Sequence, residues 1–269
     1  MAELTGKTAL VTGASAGIGR AFAEELASRG FHLVITARRL ERLQELQREL
    51  AARHGVRVEV IAADLAVPDA AQALFDELGR RQIAIDVLVN NAGYGLGVKY
   101  FKTSWKEKAD FIQVMVTAVA QLTYLFVPQM AERGWGRIIN VASLAGLLPG
   151  GPGSTLYAAA KSFMIKFTES LALEMTNTGV TATAVCPGFT LSEFHDVNAT
   201  RPRVEKMPKL MWLDAHTVAS KGIDAAMAGR VVVVTGALNK LIATTMKHIP
   251  DAVARRVLLR QSKNFRHVD

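Results

Sequence analysis

Residues 7–30 read KTALVTGASAGIGRAFAEELASRG, and this stretch decides the fold. KTALVT (7–12) is a short apolar run rich in β-formers, GASAGIG (13–19) is a glycine-rich turn, and RAFAEELASRG (20–30) continues as a helix. A strand that runs through glycines into a helix is the opening half of a βαβ unit.

The alternation persists outward. FHLVITA (31–37) is a second strand, followed by RLERLQELQRELAARHG (39–55), whose Leu40, Leu43, Leu46 and Leu50 fall at helical spacing. VRVEVIAAD (56–64) is a third strand, PDAAQALFDELGRR (68–81) a proline-opened helix, and IDVLVNNAG (85–93) a fourth strand. A long helical stretch covers 104–133, GRIINVAS (136–143) is the fifth strand, 155–178 a helix, and VTATAVCPG (180–188) the sixth strand. An irregular segment follows to about 213, then a helix at 215–228, the strand RVVVVTG (230–236) and a basic helical tail over 238–269. Continuous Val/Ile/Leu strands separated by helices predict a parallel sheet buried on both faces. The expected class is therefore α/β, a doubly wound sheet of about seven strands in a three-layer sandwich, with its ligand crevice at the strands' carboxyl ends.

The chain has 269 residues, half of them hydrophobic, without linker, repeat or low-complexity tract, which points to one domain over 1–269. One cysteine, Cys186, excludes an internal disulfide and fits a reducing, cytoplasmic compartment; in its apolar run it reads as a small buried hydrophobe. MAELTGKTALVTG lacks the pattern of a secretory leader, and no apolar run approaches the length of a membrane span. Six scattered histidines without H-E-x-x-H give no reason to expect a metal site. The net charge of +8 is uneven: residues 1–200 carry 19 Lys+Arg against 19 Asp+Glu, and residues 201–269 carry 13 against 5.

Chemistry gathers at the predicted strand ends. Thr12 to Gly19 form T-G-x-x-x-G-x-G, where Gly13, Gly17 and Gly19 permit a tight turn and Ser15, Ile18 and the helix N-terminus would meet a pyrophosphate. VTGALNK (234–240) repeats T-G-A without further glycines and reads as a strand end. At the second strand's end stand Thr36, Ala37, Arg38 and Arg39, two cations and no carboxylate; Arg38 would welcome a ribose 2′-phosphate, so NADP(H) is expected over NAD(H), although arginines at a helix start can equally be solvated. Asp64 and Leu65 could flank an adenine, and Asn90, Asn91, Ala92 and Gly93 end the fourth strand. Ser143 ends the fifth strand, and Pro187 and Gly188 the sixth. In YAAAK (157–161), Tyr157 and Lys161 lie one helical turn apart on one face, a spacing that proves little by itself.

Taken together, TGASAGIG (12–19), Asp64, NNAG (90–93), Ser143, YAAAK (157–161) and Pro187-Gly188 resemble the short-chain dehydrogenase/reductase family in its classical form, in order over residues 5–195. The resemblance implies a Rossmann-type sheet, a nicotinamide cofactor, a homodimer or homotetramer, and Thr190 beside the nicotinamide carboxamide. It makes Tyr157 the proton donor or acceptor and has Lys161 support both that phenol and the nicotinamide ribose, so that both residues also bind the cofactor. A free phenol has a pKa near ~10, which the Lys161 ammonium would lower. Ser143 would hydrogen-bond the substrate oxygen. One departure stands out: where many members carry a proton-relay asparagine in the long helix, this chain has Met115, whose thioether cannot donate a hydrogen bond.

The substrate is expected between residues 144–156 and the segment after Pro187-Gly188, with a lid at 190–213; Phe189, Phe194, Met207, Leu210, Met211 and Trp212 of that segment suit a lipophilic carbonyl or alcohol, or equally pack on the domain. The basic last quarter is open to three readings: a solvated face, contact with an acidic carrier, or a peripheral membrane contact. No nucleic-acid module is present. The leading expectation is a reversible NADP(H)-dependent oxidoreductase; the alternatives are a non-catalytic dinucleotide sensor or scaffold and a dehydratase or epimerase.

Overall fold

The computed structural model describes residues 5–96, 99–151, 153–190 and 212–250, together with 253 and 256. Seven parallel strands form one sheet: β1 (Thr8–Thr12), β2 (His32–Ala37), β3 (Val58–Ala62), β4 (Val87–Asn90), β5 (Gly136–Val141), β6 (Val180–Cys186) and β7 (Val232–Val234), in the order β3-β2-β1-β4-β5-β6-β7. Every neighbouring pair is parallel. The strand order reverses between β1 and β4, so the crevice at their carboxyl ends falls between Thr12 and Asn90.

Helices cover both faces. On one lie α1 (Gly17–Ser28), α2 (Leu40–His54) and α7 (Ala215–Met227), which bury Phe22, Leu26, Leu43, Leu46, Leu50, Val218 and Ile223 against the sheet. On the other lie α3 (Ala70–Arg80), α4 (Trp105–Ile112), α5 (Ala118–Glu132) and α6 (Thr155–Glu174), whose Leu74, Leu78, Phe111, Leu122, Phe126 and Met130 form a second core. Among the described residues one more helix, α8 (Ala237–His248), follows β7.

Local rules explain where the elements depart from the periodicity. Leu40 opens α2 and stays exposed, so the buried stripe of that helix begins at Leu43. The helix expected over 155–178 stops at Glu174, because Asn177 and Gly179 adopt left-handed backbone and turn the chain into β6. β7 keeps only three residues, Val232–Val234, and pairs with β6 at the sheet's edge. The long helical stretch is divided by a π-helical turn, Gln113–Thr117, that carries Met115.

That stretch also corrects one expectation. Trp105–Glu132 is, by length and composition, apolar enough to cross a bilayer, with mean hydropathy 1.6 over its most apolar window. Half of the window is buried inside the fold, as suits a core helix. The expected lid at 190–213 falls mostly outside the described residues, as does most of the tail beyond 250.

Candidate active site

At the reversal point the ends of β1 and β4 are latched by one hydroxyl. Thr12 Oγ1 accepts from the backbone N–H of Asn91 at 2.9 Å and of Ala92 at 3.0 Å, and donates to the Val89 carbonyl at 3.2 Å. The Asn91 amide donates to the Thr12 carbonyl at 2.9 Å, closing the latch from the other side. The glycines follow from this packing. A Cβ on Gly13, already at φ +68°, would stand 2.8 Å from Ala92 Cα, and one on Gly19 would collide with the Gly13 carbonyl and the Asn91 amide. Gly17 is also left-handed, at φ +57°, and Ile18 behind it packs on the first core. The first turn of α1 has no side-chain cap and no acidic residue, so its N–H groups point unpartnered by side chains toward the crevice. A cradle without room for Cβ atoms, ending in an uncapped helix N-terminus, fits the pyrophosphate of a dinucleotide.

At the end of β2 both guanidiniums are exposed, and Arg39, the residue preceding α2, reaches back to the loop: its Nη2 lies 3.1 Å from Ser15 Oγ. The sequence reading singled out Arg38, which is exposed at the strand end; the side chain that the geometry brings to the glycine turn is its neighbour Arg39. Asp64 is exposed after β3 and closes a small turn by accepting from the Ala66 N–H at 3.0 Å, while Leu65 beside it is buried. Gly93 faces Met115, whose sulfur would stand 2.5 Å from an added Cβ, so Met115 occupies the wall beside the end of β4.

Ser143, Tyr157 and Lys161 are brought together by a glycine the sequence reading passed over. Ser143 follows β5 and starts a short 3-10 turn, Leu144–Gly146, its Oγ accepting from the Ala145 N–H at 3.1 Å. That bond occupies a lone pair of Oγ and leaves the hydroxyl proton to donate. Gly146 packs so closely on α6 that a Cβ there would lie 2.6 Å from the carbonyl carbon of Lys161. On α6, Lys161 is buried; its Nζ donates to the Val141 carbonyl at 2.7 Å and lies 5.8 Å from the Tyr157 ring centroid. Burial pushes the ammonium down from 10.5 to about 7. Tyr157 is half-buried, with its ring against the second core.

Behind these residues runs a buried polar chain that no short motif reveals. Asn90, in register with Asn140 across β4 and β5, donates to its Oδ1 at 2.9 Å, and Asn140 donates to Thr168 Oγ1 of α6 at 2.9 Å. The chain pins α6 to the sheet, and with it Tyr157 and Lys161. On the far side, Leu144 N–H donates to the Pro187 carbonyl at 2.8 Å, joining the Ser143 turn to the loop after β6. Gly188 packs on the amide of buried Asn239, and Thr190 is buried with its hydroxyl 3.2 Å from the Gly188 carbonyl. VTGALNK thus serves the loop after β6, with Asn239 as its contact. Cys186 is buried and its thiol pushed up to about 12 by that burial, an inert sulfur. A shallow cavity of about 440 Å³ lined by Leu148, Ser154, Ala158 and Ser162 lies over the outer side of α6, one face round from Tyr157 and Lys161.

Residues 7–202 match the family model described as short chain dehydrogenase. Among curated relatives, an uncharacterized oxidoreductase of Myxococcus xanthus is 38% identical over 224 residues, covering 83% of this chain and 86% of that one. The 3-oxoacyl-[acyl-carrier-protein] reductase FabG of Aquifex aeolicus is 35% identical over 187 residues, 70% of this chain and 75% of its own. Among solved structures, a 7β-hydroxysteroid dehydrogenase superposes with a TM-score of 0.84 at 26% identity, covering 95% of this chain and 98% of its own. A short-chain dehydrogenase from Sphingobium yanoikuyae in complex with NADPH gives 0.79 at 29% identity, covering 91% and 97%. One from Burkholderia phymatum in complex with NAD gives 0.77 at 30% identity, covering 91% and 94%.

Proposed function

The chain belongs to the short-chain dehydrogenase family, an oxidoreductase acting on carbonyl and hydroxyl groups, and on that premise we propose an NADP(H)-dependent reductase of a lipophilic ketone or aldehyde. The single observation carrying the proposal is the placement of a buried lysine one turn below a half-buried tyrosine, on a helix that a glycine lets pack against the turn bearing Ser143.

Gly13, Ser15, Gly17, Ile18 and Gly19 would hold the pyrophosphate, Asp64, Leu65, Asn91, Ala92 and Gly93 would line the adenine and ribose side, and Pro187, Gly188 and Thr190 the nicotinamide end. When bound, the nicotinamide supplies or accepts the hydride at the carbonyl carbon. This chain's residues manage the oxygen. Ser143 keeps its proton and donates a hydrogen bond to the substrate oxygen, orienting it and steadying the charge that develops there. Tyr157 gives that oxygen a proton in reduction and takes it back in oxidation. A protonated Lys161 beneath the ring favours the phenolate and so eases both transfers.

Two features support the finer assignments. The end of β2 offers Arg38 and Arg39 with no carboxylate, and Arg39 contacts Ser15, an arrangement suited to a 2′-phosphate. The greasy composition of residues 144–148 and 189–213 suits a lipophilic substrate, as does the likeness to a steroid dehydrogenase. We place the enzyme in the cytoplasm as a homodimer or homotetramer. Met115 favours a second reading, a dinucleotide sensor with impaired proton relay. Following NADPH oxidation against aldehydes, ketones, 3-oxoacyl thioesters and keto-steroids decides between them. Turnover of any of these supports the reductase; tight NADPH binding with no turnover across the panel supports the sensor.

A further inference from the structure

Nine large hydrophobic residues are exposed among the described residues, and three of them fall within six positions: Tyr100 (47%), Phe101 (74%) and Trp105 (69%). The other six stand singly along the chain, as surface hydrophobes ordinarily do. The three aromatics lie in KYFKTSWKEK (99–108), interleaved with Lys99, Lys102, Lys106 and Lys108.

The segment is built to hold this display. Tyr100–Lys102 form a 3-10 turn, and Ser104 caps α4 in a reciprocal capping box with Glu107. Lys108 is buried at their junction, its Nζ 2.7 Å from Thr103 Oγ1 and 5.0 Å from the Tyr100 ring centroid, so one ammonium rivets the turn to the helix. The segment's one carboxylate, Glu107, is committed to the cap, and Asp110, two residues beyond the segment, pairs with Lys106 at 2.6 Å, so the positive rim beside the aromatics is carried by Lys99 and Lys102.

We propose that residues 99–108 are a docking surface for an anionic lipid bilayer, with Phe101 and Trp105 entering the interface and Lys99 and Lys102 on the headgroups. Charge complementarity selects this occupant. Trp and Tyr favour the headgroup boundary, lysines extend their charges outward over apolar stems, and each contributes attraction to acidic lipid. The position gives the surface a use: Tyr100, Thr103 and Lys108 line a small cleft with Thr155 and Leu156, the residues that lead into Tyr157. A bilayer held here lies beside the mouth of the site. The surface itself does not depend on the reaction assigned above.

Co-sedimentation of the full chain with phosphatidylcholine vesicles, with and without phosphatidylserine, tests the proposal. Binding to the phosphatidylserine vesicles, weakened by salt, is expected, and the exposed-site double variant Phe101→Ser/Trp105→Ser should lower the partition coefficient about tenfold or more. Lys99→Glu/Lys102→Glu should weaken binding to the acidic vesicles as well. No binding by the unaltered chain overturns the proposal. So does binding that both double variants retain in full, which would assign it to the basic last quarter. Concentration-dependent dimerisation abolished by Phe101→Ser/Trp105→Ser, without vesicle binding, would assign the aromatics to a second copy of the chain. Thermal melting of each variant checks that it folds as the parent does.

Discussion

Lys161 Nζ lies 2.7 Å from the carbonyl oxygen of Val141, the last residue of β5, and that bond anchors the amine at the sheet's open end. A buried cation with a single short carbonyl contact is costly to keep charged, and the shift of Lys161 to about 7 expresses that cost.

Stability should therefore depend on pH through this residue. Between about 7 and the ordinary 10.5 the unfolded chain holds a proton on Lys161 that the folded chain has released, so stability rises with pH across that window. Below about 7 both states carry the proton and the penalty is complete. Melting curves of Lys161→Met should rise less than those of the parent across this range. A parallel rise in both proteins would assign the dependence to other groups.

Gly146→Ala should force the Ser143 turn away from α6, because the added methyl would stand 2.6 Å from backbone. A loss of ~1–3 kcal/mol in urea unfolding is expected, with turnover falling further than stability alone explains. An unchanged kcat would show that the turn yields without moving Ser143.

Thr12→Val keeps the shape of the side chain and removes three hydrogen bonds at once. It should cost ~2–3 kcal/mol and raise KM for NADPH and NADH alike, since it loosens the cradle common to both. Arg38→Ala and Arg39→Ala should instead weaken NADPH far more than NADH. Equal effects on the two cofactors would remove the basis for preferring NADP(H).

The sheet was legible because each strand is a continuous apolar run and each exit carries a polar or glycine residue; Ser143, Tyr157 and Lys161 are candidates named from motif order. What escaped was contact between distant positions. Gly146 looks like any loop glycine until it meets Lys161, and the Asn90–Asn140–Thr168 chain exists only because register and helix packing align three separate segments. Tyr100 and Phe101 sat unmarked ahead of the long helical stretch, of which only the bounds and Met115 were read from the sequence. Exposure is a property of the folded surface, and periodicity does not report it.

Tyr157→Phe removes one oxygen from the ring and leaves its packing against the second core intact. The measurement is single-turnover NADPH oxidation with the best carbonyl substrate, alongside the NADPH dissociation constant. Turnover reduced by at least ~10³-fold with cofactor affinity within about twofold of the parent is the predicted outcome. Turnover preserved in this variant would mean that the substrate oxygen receives its proton elsewhere, and the roles assigned to Tyr157 and Lys161 would fall together.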